Sequence, residues 1–360
     1  MRVAIIGTVG VPANYGGFET LVECLLKNKA AEDLQYTVYC SSKAYHERLK
    51  NYKGAKLEYV PLKANGMQSI PYDILSLLRA ALKNDVILML GVSGCLFLPI
   101  FRLFSKKKLI INIDGLEHRR DKWKSYVRKI LKGSEKMAVK YGDIIVADNK
   151  GIQDYVMQEY GVPSELIAYG GNQAMEEVSP RQAGKILSKY NLQPKEYYMG
   201  LCRIEPENNV HLILEAFSGM PDKNLIFIGN WEKNSYSEAL KEKYSSFPNI
   251  KLLDPEYNSA IINTLRKNCI GYLHGHSAGG TNPSLVEAMF SEVPVIAYDC
   301  VYNRETTEGK AFYFSEASSL RHVLTEATEG SIRRNTSDMQ EIAQRRYRWE
   351  TIASQYEALY

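Results

Sequence analysis

The sequence predicts an α/β protein of two domains, each built on a parallel sheet, and three observations predict it. The chain has 360 residues, more than one hydrophobic core ordinarily organises. Short apolar runs alternate with amphipathic segments of helical period, as expected for strands covered on both faces by crossover helices. The rhythm stops once, at Tyr169-Gly170-Gly171-Asn172, and restarts after a polar stretch that contains Pro180. The expected division is therefore 1–170 and 171–346, followed by a closing helix over about 347–360 with Trp349, Ile352, Tyr356 and Leu359 on one stripe.

In the first series, strands are expected at 3–6, 36–40, 57–60, 86–90, 109–113, 144–147 and 166–168. A helix is expected over 18–29, and a long basic one over 122–141. The apolar run 86–104 is long enough to suggest a membrane span, but Gly91, Ser93, Gly94, Pro99 and Arg102 interrupt it. It reads as a strand, a turn at Gly91–Gly94 and an apolar helix leading into Lys106-Lys107-Lys108. The second series has strands at 197–201, 225–228, 250–253, 270–273, 295–297 and 311–314.

Composition sets limits. With 45% hydrophobic and 24% charged residues the chain reads as a folded globular protein, and a net charge of +4 points to no nucleic-acid partner. The charge is unevenly spread. Between Arg102 and Lys140, thirteen Lys/Arg face four acids, so that the rest of the chain carries −5. Such a stretch suits anionic lipid or a phosphorylated substrate, or is simply a solvated helix face. The six cysteines are widely spaced without a C-x-x-C pair, which fits small core residues in a reducing compartment. The first residues read as a strand and not as a leader, so the expected location is cytoplasmic.

Three places could carry chemistry. The first begins after the opening strand with Gly7-Thr8-Val9-Gly10 and runs on through Pro12-Ala-Asn-Tyr-Gly16-Gly17-Phe-Glu19. Backbone amides there, at Gly16 and Gly17 above all, can approach a phosphate at a helix start. The spacing is not that of a dinucleotide fingerprint, and no acid follows the second strand at Cys40-Ser41-Ser42; nor is the loop a P-loop. The alternative is that the glycines serve only tight packing. The second place is Gly279-Gly280-Thr281-Asn282-Pro283-Ser284-Leu285-Val286-Glu287, a small-residue turn before a helix starting near Pro283, with Glu287 one turn on where a carboxylate can accept sugar hydroxyls. The third is Cys202-Arg203-Ile204-Glu205-Pro206-Glu207-Asn208-Asn209. Here an arginine at a strand's carboxyl end can grip a diphosphate, or else pair with Glu205 or Glu207.

On these residues the chain resembles retaining glycosyltransferases of the GT-B fold, family 4, and among them the bacterial rhamnosyltransferases of polysaccharide assembly. Arg203 matches the family arginine, and Glu287-Ala-Met-Phe-Ser-Glu-Val-Pro-Val-Ile matches the run that begins with the second glutamate of the E-x7-E region. The rhamnosyltransferase branch is suggested by Pro12-Ala-Asn-Tyr-Gly-Gly-Phe-Glu-Thr, Asn112-Ile-Asp-Gly-Leu-Glu, Ala147-Asp-Asn and Arg203-Ile-Glu-Pro-Glu-Asn-Asn. The resemblance implies two Rossmann-like domains with parallel sheets facing across a cleft, the first (joined by the closing helix) for the acceptor and the second for the nucleotide sugar. It implies donor contacts from Gly16, Gly17, Arg203, Asn208, Gly280, Thr281, Asn282 and Glu287. Two departures stand out: Asn208 or Asn209 replaces the family lysine, and Gly279 occupies the place of the first glutamate. A donor pocket with fewer polar groups suits a 6-deoxy sugar, and rhamnose from dTDP-rhamnose is the expected donor.

The charge that develops on the leaving nucleoside diphosphate would be met by amides and by Arg203. No Asp-x-Asp occurs in the sequence, so no metal and no other cofactor is expected; His274 and His276 are expected on opposite faces of a strand. On the acceptor side, the loop Asp114-Gly115-Leu116-Glu117-His118-Arg119-Arg120 offers Asp114, Glu117 or His118 to orient a hydroxyl or take its proton. Alternatively Asp114 and Glu117 cap the next helix and pair with Arg119 and Arg120. The resemblance implies an undecaprenyl-diphosphate-linked saccharide acceptor, and the apolar helix with its lysines could seat the protein on the inner face of the cell membrane. Two other classes fit the same layout: a UDP-sugar epimerase, and a sugar-nucleotide-binding protein without chemistry.

Overall fold

In the computed structural model all residues are described except 14, 15 and 120–123 and the side chain of Met67. The chain forms two compact units, Met1–Tyr169 with Trp349–Tyr360, and Gly170–Arg348.

The first unit runs β1 (Arg2–Ile6), α1 (Gly17–Lys27), β2 (Gln35–Ser41), β3 (Asn51–Tyr52), β4 (Ala55–Val60), α2 (Ser69–Lys83), β5 (Val86–Leu90), α3 (Leu98–Phe101), β6 (Lys108–Asn112), α4 (Ser125–Tyr141), β7 (Ile144–Ala147), α5 (Lys150–Tyr160) and β8 (Glu165–Leu166). The sheet order is β3-β4-β2-β1-β5-β6-β7-β8, parallel except for the β3–β4 hairpin. That hairpin was not legible beforehand; Lys53 and Gly54 both have positive φ, the two-residue turn that suits strand twist. β5 reads Val-Ile-Leu-Met-Leu and is buried throughout, because helices cover both faces.

The second unit runs α6 (Pro180–Lys189), β9 (Tyr197–Leu201), α7 (Val210–Ser218), β10 (Asn224–Ile228), α8 (Ser235–Tyr244), β11 (Ile250–Leu253), α9 (Ser259–Lys267), β12 (Tyr272–His274), α10 (Pro283–Met289), β13 (Val295–Tyr298), α11 (Val301–Thr306), β14 (Phe312–Phe314), α12 (Ala317–Glu326) and α13 (Glu329–Arg346). Its six parallel strands lie in the order β11-β10-β9-β12-β13-β14, around a core that includes Ile213, Phe217, Phe227, Trp231 and Phe314. The last helix, α14 (Trp349–Ala358), returns to the first unit. There Trp349, Ile352, Ala353 and Tyr356 join Val3, Ile5, Leu21, Leu25 and Val38 in one core.

Several boundaries differ from the sequence reading. The basic helix begins at Ser125 with Lys124 as its cap, and residues 120–123 lie outside the described residues. The apolar segment after Gly94 is a single turn of 3-10 helix, Cys95–Phe97, followed by the short α3. Lys108 does not extend a solvated lysine run: it begins β6, and its Nζ donates to Tyr360 O at 3.2 Å. His274 and His276 do not point to opposite faces: residues two apart on a strand would share one face, and here β12 ends at His274, with His276 two residues beyond it. Their rings stack in parallel with centroids 4.4 Å apart.

Under the loop that follows β5 sits Asp73 of α2, fully buried, with Gly94 N–H as its hydrogen-bond donor. Burial penalises the anion and pushes its pKa from 3.8 to about 8, with the Gly94 bond opposing this. A group with a raised carboxyl pKa keeps a proton in the folded state that the unfolded chain has lost, so stability falls as pH rises between these two values. Asp73→Asn is expected to flatten that slope in denaturant titrations run across the interval, and an unchanged slope would show that Asp73 ionises normally.

Candidate functional site

Both sheets reverse their winding direction at one strand, and ligands of open α/β sheets bind beyond the carboxyl ends of the strands at such a point. In the second unit the reversal falls between β9 and β12, whose following loops hold Arg203 and the Gly279–Asn282 turn. The two loops are stitched together. Ser277 donates from both N and Oγ to Glu207 O, at 2.9 and 2.8 Å, and Asn209 Nδ2 donates to Gly275 O at 2.9 Å. A Cβ on Gly275 would lie 2.2 Å from Asn208 O, so only glycine permits this approach.

Arg203 is exposed. The acids expected as its alternative partners are otherwise engaged or turned elsewhere: Glu205 binds Lys233 Nζ at 3.0 Å, and no ion pair joins Arg203 to Glu207 among the described residues. Asn208 is buried, and its Nδ2 donates to Arg203 O at 2.7 Å, so it acts on this place by holding the arginine's backbone. Gly280 is half-buried and Thr281 buried. Asn282 caps α10, with its Oδ1 accepting from Ser284 N at 3.0 Å and Ser284 Oγ at 2.8 Å. Beneath the turn, burial lowers the His274 pKa to about 3, so that the ring is neutral.

Glu287 is not an isolated carboxylate. Its Oε2 accepts from Arg266 Nη2 at 2.7 Å and its Oε1 from Gln173 Nε2 at 2.9 Å. Arg266 is fully buried, its guanidinium lying 5.6 Å over the Tyr272 ring. Sequence reasoning missed both partners. Arg266 sits in the last turn of an amphipathic helix, where a basic residue ordinarily faces water and favours the helix dipole; nothing local announces that it turns inward.

In the first unit the reversal falls between β1 and β5. A Cβ on Gly7 would meet Leu90 O at 2.1 Å, which shows how closely the two strand ends approach. The long loop after β1 closes over Glu19, whose Oε1 accepts from Thr8 Oγ1 and Val9 N, each at 2.8 Å. Gly16 caps α1 and Gly17 begins it; a side chain at Gly16 would collide with the Glu19 carboxylate. The position of Glu19, three residues after the cap, is the available signal for this role.

The loop expected to serve an acceptor follows β6. Asn112 is buried, donates to Tyr356 Oη at 2.8 Å and accepts from Asp114 N at 3.0 Å. Asp114 and Leu116 both have positive φ, a backbone conformation that costs energy for the buried leucine and accompanies functional loops. Neither Asp114 nor Glu117 caps α4, whose cap is Lys124. Arg119 lies over the Tyr155 ring at 4.6 Å, and Arg120 is outside the described residues. His118 Nδ1 lies 2.9 Å from Glu135 Oε2 on α4. Glu135 is buried, and its Oε1 also accepts from Tyr155 at 2.7 Å and Tyr160 at 2.6 Å. Burial alone would raise its pKa; the bonds from His118, Tyr160 and Tyr155 overcome this and bring it to about 2. Nδ1 of His118 is thus buried against the Glu135 carboxylate, and Nε2 is the ring nitrogen on the opposite side.

Residues 1–172 match the family model described as "Domain of unknown function (DUF1972)", and residues 185–334 match "Glycosyl transferases group 1". The group 1 match lies wholly within the second unit. Arg203, the Gly279–Asn282 turn and Glu287 all fall inside it. No curated protein matches the chain. Among solved structures, sucrose-phosphate synthase from Thermosynechococcus elongatus is similar at 14% identity and TM-score 0.81, covering 100% of this chain and 98% of that one. HepE from Anabaena, in complex with UDP-glucose, is similar at 16% identity and TM-score 0.77, covering 99% and 98%. WaaG, a glycosyltransferase involved in lipopolysaccharide biosynthesis, is similar at 13% identity and TM-score 0.75, covering 100% and 99%. At these identities the likeness concerns the fold, which is the GT-B fold expected of the group 1 domain and its companion.

Two expectations follow. Arg266→Met strands Glu287 without its buried partner and should cost about 3 kcal/mol of stability in denaturant unfolding; a loss within error would make the pair dispensable. Because the Glu135 pKa is depressed, its contribution is present above 4.5 and is lost as pH falls toward 2. Glu135→Gln should therefore destabilise the protein at neutral pH and converge with the parent in acid, whereas a constant difference would contradict this electrostatic role.

Proposed function

We propose that the chain is a retaining glycosyltransferase that moves a sugar from a nucleoside diphosphate to a saccharide acceptor. The observation that carries this reading is the exposed Arg203, without an acidic partner among the described residues, at the winding reversal of a group 1 glycosyl transferase domain. A guanidinium there can take two diphosphate oxygens at once. Gly280, Thr281 and Asn282 bring backbone amides to the same edge, and Glu287, held by Arg266, offers its remaining lone pairs to donor hydroxyls. In the reaction the bond from the anomeric carbon to the phosphate oxygen breaks and one to the acceptor oxygen forms. Arg203 and the amides stabilise the leaving diphosphate, so no metal is needed for that charge. The acceptor proton passes to the departing phosphate or to Asp114, Glu117 or His118.

The favoured donor is dTDP-rhamnose, on the absence of an acid at Gly279 and on the resemblance of the Asn112-Ile-Asp-Gly-Leu-Glu and Arg203-Ile-Glu-Pro-Glu-Asn-Asn segments to rhamnosyltransferases. A UDP-sugar is the second reading, because HepE of the same fold is described with UDP-glucose. The favoured acceptor is a lipid-linked saccharide of bacterial surface polysaccharide synthesis, met in the cytoplasm at the inner face of the membrane.

Calorimetry with dTDP, UDP, GDP and their sugars, with and without EDTA, tests this. Saturable binding that survives EDTA is expected, with Arg203→Ala weakening it about tenfold to a hundredfold through loss of charge-assisted bonds. No binding of any nucleotide would overturn the reading. Nucleoside diphosphate released without an acceptor would point instead to an epimerase.

A further inference from the structure

Among the described residues twelve large apolar side chains are exposed, and seven of them belong to three segments of the first unit: Leu82, Leu96, Ile100, Leu103, Phe104, Tyr126 and Ile130. Leu103 is 85% exposed, Leu82 83%, Phe104 60% and Ile100 53%, values that a folded surface rarely tolerates together. The segments that carry them are neighbours, α4 packing against both α3 and the 3-10 turn before it. Leu82 at the end of α2 and Phe104 line one hollow together with Lys106 and Lys107. Phe104 meets Phe101 edge to face, and Leu96 reaches the backbone of α4 beside Ile130, where a Cβ on Gly133 would touch it at 3.8 Å.

The outward projection is built in. Leu98 and Phe101 are fully buried and fix the rotation of α3. Arg102 then clamps the turn that follows: its Nε donates to Tyr141 O at 2.9 Å, its Nη1 to Lys107 O at 2.9 Å and its Nη2 to Asp143 Oδ2 at 2.8 Å. Leu103 and Phe104, next in sequence, cannot fold back onto the core without breaking these bonds. The same segments carry Lys106, beside Phe104 in the hollow, and Lys124, Lys129, Lys136 and Lys140 on and just before α4, all exposed. None of these ammonium groups has a carboxylate partner among the described residues, although other lysines of the unit do, such as Lys132 with Glu159 at 2.9 Å.

We propose that this face docks on an anionic lipid surface, with Leu82, Ile100, Leu103 and Phe104 entering the headgroup region and the lysines meeting lipid phosphates. Charge decides the occupant: a second copy of the chain would bring lysine against lysine, whereas an anionic leaflet complements them. The contact is interfacial and not spanning, since no helix among the described residues is long and apolar enough to cross a membrane. The inference rests on the reading of a lipid-linked acceptor and gives it a physical seat. α4 exposes Tyr126, Lys129 and Ile130 on this face and buries Glu135, which holds His118 of the acceptor-side loop.

The test is co-sedimentation of the full chain with vesicles of phosphatidylcholine alone or mixed with phosphatidylglycerol, in low and high salt. Binding is expected to the mixed vesicles only. Leu103→Ser with Phe104→Ser should weaken it at least about tenfold at either salt, and Lys129→Glu or Lys136→Glu about fivefold or more each, at low salt. These side chains are exposed, so thermal unfolding and nucleotide calorimetry should match the parent. Parent and variants sedimenting alike, or a parent that binds neither vesicle, overturns the proposal. A concentration-dependent dimer abolished by Leu103→Ser with Phe104→Ser also overturns it and assigns the face to self-association. A parent that binds nucleotide but neither vesicle refutes this surface alone; a parent that binds vesicles but no nucleotide refutes the transferase reading alone.

Discussion

Each sheet is wound away from one strand in both directions, and the open edge beyond that strand constrains everything the two units can do there. Loops after β1 and β5, or after β9 and β12, leave in divergent directions and need support where no strand lies beneath. The chain supplies it with backbone contacts too close for any side chain, at Gly7 against Leu90 and at Gly275 against Asn208. It adds buried polar groups directly below the loops: Glu19 under the first, Asp73 under the second and Asn208 under the third. Each is hydrogen-bonded to the backbone it holds. Backbone amides above are thereby set in place before any ligand arrives, a condition for electrostatic stabilisation without reorganisation.

The same logic extends to the two buried carboxylate networks. Glu287 is fixed by Arg266 and Gln173, and His118 is fixed by Glu135 with its two tyrosines. In both cases a half-exposed or loop-borne group that could meet substrate is oriented by a deeper partner. Networks of this kind favour one geometry, because separating either carboxylate from its partners at such depth carries a large desolvation penalty.

Much of the fold was legible from the residues because its strands are buried on both faces and therefore announce themselves as short apolar runs. β5 with five consecutive apolar residues is the clearest. The two-residue β3 has no such signature, and the helix over Ser69–Lys83 went unnamed because polar turns around Lys63 and Asn65 obscure its start. At the site, Arg203, the Gly279–Asn282 turn and Glu287 were readable from their places after strands and before a helix. Arg266, Gln173 and Glu135 were not, since each acts across a long sequence separation and looks locally like an ordinary solvent-facing residue. Lys108 erred the other way: it resembles the lysines before it, yet the register of β6 with β5, Lys108 beside Val86, takes it into the sheet.

The return of α14 to the first unit shapes how the chain can be made. As it leaves the ribosome, the first unit has all eight strands but lacks Trp349, Ile352, Ala353 and Tyr356, four buried members of its core. The second unit is continuous in sequence from Gly170 to Arg348 and needs nothing from elsewhere to close its own core. The part synthesised later can therefore be finished first. Until the closing helix arrives, the earlier part lacks the apolar cover that α14 lays beside α1, and transiently exposed surface of that kind favours aggregation over folding.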